Sequence, residues 1–257
     1  MRGRNSFRSF ASSLRFGRVL MPLYPTTNVL YRVFYIRVIK SSTGQAVPGT
    51  AFAIDLDNRE YVVTARHVAE HLDDAGVQVM RSGNWETYLA EIVGHGNGNI
   101  DISVLALHKS IVPNENRFPF PTGTAGAILG QEVMFLGFPD GLDPTVGFHL
   151  HHGLPVPLVK YARLSSLSVG DSYPMWIDGH VHPGFSGSPL CFVLDDPKEV
   201  RVGGVVTAYQ PLKEPVFLAD GTDTGMFVAS NPGLACAWDI RHALDLIHDN
   251  PIGPVIG

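Results

Sequence analysis

Three short segments carry residue types that do chemistry in combination. The first is residues 182–190, H-P-G-F-S-G-S-P-L. Ser186 has Gly184 two positions before it and Gly187 directly after it. Such a turn exposes the hydroxyl and turns its backbone N–H groups one way, as a nucleophilic serine needs when an oxyanion develops beside it. Taken alone, G-x-S-G also fits an ordinary glycine-rich hairpin. The second segment is residues 61–68, Y-V-V-T-A-R-H-V, where a strand ends and His67 opens a helical turn. That is a rigid place to hold an imidazole, and a single histidine there also fits a structural role. The third is residues 99–107, N-I-D-I-S-V-L-A-L. Asp101 heads an apolar strand, so its carboxylate lies near the core and must find a hydrogen-bond partner. It reads either as a cap on the strand start or as the group that orients a histidine.

The elements that must position these residues are strands. Residues 29–39 are β-branched and aromatic and read as a strand with both faces covered. Gly44, Pro48 and Gly49 then connect into a strand at 50–55, and Asp57-Asn58 turns into another at 61–65. Further strands are expected at 77–80, 88–93, 102–107, 133–137, 158–164, 190–193 and 202–209. Turn signals at short intervals suggest an antiparallel barrel or sandwich. Only two helices stand out, a single turn after His67 and a terminal helix capped by Asp239 that stops before Asn250-Pro251. In the terminal helix Ile240, Leu244 and Ile247 form one apolar stripe, which suits packing. The loop at 113–130, rich in proline and glycine, links two halves.

Composition sets the outer bounds. Of 257 residues, 45% are apolar and 17% charged, which is ample for a core and unlike a disordered chain. The 27 glycines and 19 prolines favour many short strands over long helices. No apolar run is long enough for a membrane span. Residues 1–54 hold eight basic residues and no acid, whereas residues 55–257 hold 11 basic against 24 acidic residues, a net of −13. An acidic body argues against nucleic acid as a partner. Residues 1–18 are Arg- and Ser-rich and acid-free, as transit peptides are, but arginines interrupt any secretory apolar segment. A basic disordered tail over 1–26 is the simpler reading, with a cytoplasmic location expected and an organelle as the alternative. Two cysteines, Cys191 and Cys236, exclude a disulfide framework and a four-cysteine zinc site and read as buried free thiols. His149, His151 and His152 have no acid or cysteine at ligand spacing, so no metal and no other cofactor is expected. The oligomeric state is not legible.

Together the three segments become specific. His67, Asp101 and Ser186 follow one another at separations of 34 and 85 residues, the chain order of chymotrypsin-type triads. The set T-A-R-H, D-I-S-V-L-A-L and G-F-S-G-S-P resembles the trypsin-like serine peptidases, and most closely the bacterial Deg/HtrA-type catalytic domain. Residues 133–142 (V-M-F-L-G-F-P-D-G-L), 203–209 and 236–244 extend the likeness, which covers about 29–247.

The resemblance implies an all-β fold of two packed six-stranded antiparallel barrels with a C-terminal helix. The barrels would span about 27–118 and 119–238 and the helix 239–249, within a peptidase domain at 27–257. It implies a serine endopeptidase acting on a polypeptide through an acyl-enzyme. Ser186 would be the nucleophile, His67 the base and then acid, and Asp101 the group that fixes the His67 tautomer. The N–H groups of Gly184 and Ser186 would form the oxyanion hole. Two positions depart from the family pattern: Ser188 stands where glycine is usual, and bulky Phe185 precedes the nucleophile beside the oxyanion turn.

The same resemblance places His180, six residues before Ser186, at the base of the primary specificity pocket, with Thr207 on its wall. His180 offers neither a fixed negative charge nor an apolar floor, so cleavage after Lys or Arg is disfavoured and a medium-sized polar or aliphatic residue is expected. With Gly257 as the last residue, the PDZ domain that many Deg-type proteins carry is not expected. Activation by an exposed new N-terminus is not expected, since residues 1–26 do not read as a propeptide. The competing reading is a catalytically silent or partner-activated domain that uses its groove to bind a peptide or protein.

Overall fold

The computed structural model describes residues 23–73, 76–142, 150–151, 153–170, 173–195 and 198–257. After a single helical turn α1 (Thr27–Leu30), the first half is one antiparallel sheet of seven strands. These are β1 (Val33–Ile39), β2 (Ala46–Leu56), β3 (Arg59–Thr64), β4 (Val77–Arg81), β5 (Asn84–Tyr88), β6 (Ala90–His95) and β7 (Ser103–Leu107), in the order β5-β4-β1-β2-β3-β7-β6. Local chemistry makes its hairpins. Leu56 pairs with Arg59, leaving Asp57 and Asn58 as a two-residue turn with φ of 50° and 60°. Positive φ at both positions matches the right-handed twist of the flanking strands, and Asp and Asn tolerate it.

The stretch expected as one strand at 88–93 divides at Leu89, which is exposed. Only that residue separates β5 from β6, yet they occupy opposite edges of the sheet. The sheet therefore curls until its edges meet, and counting β5 and β6 as one bent strand returns the expected six.

The second half is a closed barrel in the order β11-β12-β17-β14-β13-β8. Its strands are β8 (Glu132–Gly137), β11 (Leu158–Ser166), β12 (Met175–Asp178), β13 (Ser188–Asp195), β14 (Lys198–Tyr209) and β17 (Leu234–Asp239). Two short strands, β9 (Leu150–His151) and β10 (Leu154–Pro155), form a separate pair. The terminal helix α3 spans Arg241–Asp249. Asp239 lies one residue ahead of its N-cap, Ile240, and its Oδ1 accepts the Arg241 N–H at 2.9 Å.

A ribbon of β15 (Leu212–Phe217) and β16 (Asp223–Ser230) joins β14 to β17 and was not legible as strands. Its apolar side chains, Leu212, Phe217, Met226 and Phe227 among them, are exposed, so no burial pattern marks it.

Three apolar clusters hold these parts. Phe34, Ile36, Val62, Val68 and Leu105 fill the curled sheet, and Phe135, Leu164, Ile177, Leu190 and Val206 fill the barrel. Tyr35, Phe52, Met134, Leu136, Phe138, Val205 and Trp238 belong to the cluster that joins the two. The connection between halves is clamped by charge. Fully buried Arg32 donates to Asp55 at 2.7 Å and to the Phe118 carbonyl at 3.0 Å. Arg117 reaches both Asp55 and Glu60, and Glu60 accepts the backbone N–H groups of Ile111 and Val112.

The basic tail expected at 1–26 falls mostly outside the described residues. Of its last four, Leu23 is buried in the joining cluster, and the Thr26 hydroxyl accepts the Val29 N–H at the start of α1. His149 and His152 lie outside the described residues. Cys191 and Cys236 are free and buried, and burial pushes the Cys236 thiol up to about 11.

Candidate active site

His67 is the second residue of α2 (Arg66–Ala69), the turn that follows β3. Val68 and Ala69 of the same turn are fully buried, which anchors it. Asp101 sits between two buried isoleucines, Ile100 and Ile102, just before β7. Strands β3 and β7 are neighbours, so the pairing that aligns Thr64 with Ser103 brings Asp101 beneath His67. The carboxylate then grips the histidine at two points. Asp101 Oδ1 accepts the His67 backbone N–H at 3.0 Å, and Oδ2 lies 2.7 Å from Nδ1. A carboxylate only accepts, so Nδ1 carries the proton and Nε2 keeps its lone pair.

That hydrogen bond raises His67 above the ordinary imidazole value of 6.5, against burial that lowers it, and the Glu70 charge adds a smaller upward push. An NMR titration of the imidazole should therefore give a midpoint above 6.5, and Glu70→Gln should move it down. The stabilising contribution of the contact is fully present below 6.5 and is lost as pH rises through the folded value. An unshifted midpoint in Glu70→Gln would remove that carboxylate from the electrostatics of the site.

Ser186 occupies a turn that the rest of the fold holds from several sides. Gly184 and Gly187 have φ of +90° and +92°, which L side chains rarely adopt. A Cβ at Gly184 would stand 2.3 Å from the Phe138 carbonyl, and one at Gly187 would stand 1.9 Å from that of Thr50. The Pro183 carbonyl accepts the Asp140 N–H at 2.8 Å, which turns the Gly184 N–H of the same peptide the opposite way. Neither the Gly184 nor the Ser186 amide donates to another group among the described residues. The two are available to a developing oxyanion.

Thr50 is the residue that sequence reasoning missed. It is fully buried, its Oγ1 donates to the Gly184 carbonyl at 2.7 Å, and it accepts the Phe138 N–H at 3.1 Å. Its own N–H donates to the Ser186 carbonyl at 2.8 Å. One β2 residue thus fastens both ends of the turn across the junction of the halves. The only hint in the sequence is a threonine opening the apolar run T-A-F-A-I. Thr50→Val should remove both hydrogen bonds of the buried hydroxyl and cost about 1–3 kcal/mol, measurable by urea unfolding.

The two departures from the family pattern have structural explanations. Phe185 points into the barrel, where it is 1% exposed and packs edge-on against Phe135 at 5.6 Å between centroids. It does not crowd the turn from the solvent side. The Ser188 hydroxyl lies where a Cβ on Gly137 would go, 2.3 Å from that position, so the glycine makes room for it.

His67, Asp101, Ser186 and Thr207 line one cavity of about 340 Å³, together with Val181, His182, Pro183, Ala208 and Tyr209. The Ser186 hydroxyl donates to the Thr207 carbonyl at 3.1 Å. On its far side β14 is paired with β17 as far as Tyr209, but its pairing with β13 ends at Val206. The stretch from Thr207 to Tyr209 therefore presents an open edge to the cavity, where an extended peptide can add as a strand. His180 is exposed and does not line the cavity; its imidazole faces Gly233, 3.4 Å from the position of a Cβ there.

A family model described as a trypsin-like peptidase domain matches residues 49–196. Protease Do-like 1, chloroplastic, from Arabidopsis thaliana is 29% identical over 164 residues, which is 58% of this chain and 34% of that protein. The chain thus spans about a third of the length of this curated relative. Among solved structures, the active form of the Rv3671c protease from M. tuberculosis aligns with a TM-score of 0.57 at 19% identity, covering 93% of this chain and 97% of that one. The HtrA-type protease AlgW with a tripeptide aligns with a TM-score of 0.54 at 21% identity, covering 87% and 62%. These structures share the two-halved, all-β fold. No described helix is long and apolar enough to cross a membrane. With a family model matching more than half of its length, the chain belongs to the trypsin-like peptidases, a family of serine hydrolases.

Proposed function

We propose that the chain is a serine endopeptidase that cuts a polypeptide through an acyl-enzyme, with His67, Asp101 and Ser186 as its triad. The observation that carries this reading is the two-point grip of Asp101 on His67, facing Ser186 across one cavity with an open strand edge. Asp101 holds the proton on Nδ1, which leaves Nε2 as the base. The Ser186 hydroxyl leaves the Thr207 carbonyl, gives its proton to Nε2 and attacks the scissile carbonyl carbon. Negative charge then collects on the carbonyl oxygen, which the free N–H groups of Gly184 and Ser186 would receive, each donor contributing roughly 3 kcal/mol in the transition state. His67 passes the proton to the departing amine as the C–N bond breaks. Water, deprotonated by His67, releases the acyl group and restores the serine. The hydroxyl's contact with Thr207 describes the resting state, and attack requires the side chain to turn from that carbonyl toward His67.

A fluorophosphonate tests this reading directly. The folded chain should take up one adduct, mass mapping should place it on Ser186, and unfolding the chain first should abolish it. A folded chain that resists labelling would sink the proposal and favour the binding-domain alternative.

A further inference from the structure

His182 stands on the cavity wall four residues before Ser186, and its Nδ1 lies 2.8 Å from Lys160 Nζ on β11. An ammonium has only donors, so Nδ1 accepts and the imidazole proton sits on Nε2. Burial, the Lys160 charge and His180 together hold His182 below its usual range, in keeping with a neutral ring. Lys160 itself is half-buried, and its ammonium lies 5.4 Å from the centroid of buried Phe185. Burial pulls it below the ordinary lysine value. No carboxylate pairs with Lys160 among the described residues, whereas Arg32, Arg117 and Arg201 each reach an acid. A half-buried cation without a carboxylate partner, with an imidazole bonded to it on the cavity wall, is one half of a charge-assisted pair.

We propose that Lys160 and His182 form an anion-binding subsite that receives the carboxylate of an acidic side chain, Asp or Glu, at the substrate residue whose carbonyl Ser186 attacks. The inference rests on the endopeptidase reading for which bond is cut, and it replaces the medium-sized polar or aliphatic preference expected from His180. The acidic body does not oppose it, because distant surface charge is screened within roughly 10 Å at 0.1 M salt while Lys160 acts at contact.

The test uses the full chain carrying Ser186→Ala, so that binding is read without cleavage. Four fluorescein-labelled peptide amides, identical but for Glu, Gln, Leu or Lys at one central position, are titrated by anisotropy. The Glu peptide should bind about tenfold more tightly than the Gln peptide at low salt, and the Lys peptide most weakly. Raising the salt should narrow the Glu-to-Gln ratio in the protein with Lys160 intact, and Lys160→Met should reduce it to near one. His182→Ala should also lower it, which serves if Lys160→Met fails to fold. Equal binding of Glu and Gln, a ratio indifferent to both salt and Lys160→Met, or no binding of the Glu peptide would overturn the subsite. Fluorophosphonate labelling keeps the two ideas apart. A labelled serine with no acidic preference removes the subsite alone, and an acidic preference without labelling removes only the peptidase reading.

Discussion

Ser186→Ala should leave the chain folded and lower turnover of a peptide substrate by about a million-fold. The loss is that large because Ser186, as the proposed nucleophile, supplies the attacking oxygen. The substitution removes one hydroxyl whose partner is the Thr207 carbonyl, and it leaves the glycines, the Thr50 anchors and the cavity wall in place. Substrate binding should therefore survive while kcat collapses. Adding His67→Ala to this variant should cost little more, because a base with nothing to deprotonate has no further role. Turnover within a hundredfold of wild type, in enzyme freed of contaminating protease, would assign the nucleophile elsewhere.

Asp101→Asn should have the second-largest effect, a drop of about ten-thousand-fold in kcat with the fold retained. Asn keeps an oxygen that accepts the His67 backbone N–H now held at 3.0 Å. Its amide nitrogen, placed opposite Nδ1, donates where the carboxylate accepts. The imidazole must then carry its proton on Nε2 and face Ser186 with a donor instead of a lone pair. Loss of the carboxylate also lowers His67, whose upward shift arises first from the Asp101 hydrogen bond. Near-normal turnover would mean that another carboxylate fills the role. Far-ultraviolet circular dichroism checks that the variant is folded.

Much of the fold was legible because strand and turn signals are local. The β-branched run at β1, the Asp57-Asn58 turn and the apolar β7 each declare themselves within a few residues. The split at Leu89 was not legible, since nothing local distinguishes a continuous strand from one that changes neighbours where a curled sheet closes. The β15–β16 ribbon was missed for a different reason. Its apolar side chains are exposed, so they carry no period that a core would impose.

The site divides along the same line. The residues of the proposed triad, His67, Asp101 and Ser186, could be picked out by their types, their flanking residues and their order, because each stands in its own short, recognisable segment. The sequence by itself determined that order, the glycines flanking Ser186 and the apolar strand behind Asp101. Only the tertiary structure decided that Thr50 fastens the Ser186 turn from 134 residues away, measured to Gly184. It also decided that Phe185 turns into the barrel, that His180 faces Gly233 away from the cavity, and that Lys160 lies against His182. The physical reason is range. Backbone conformation answers to the nearest few residues, whereas a side-chain hydrogen bond between strands answers to their register and packing, which no single segment contains.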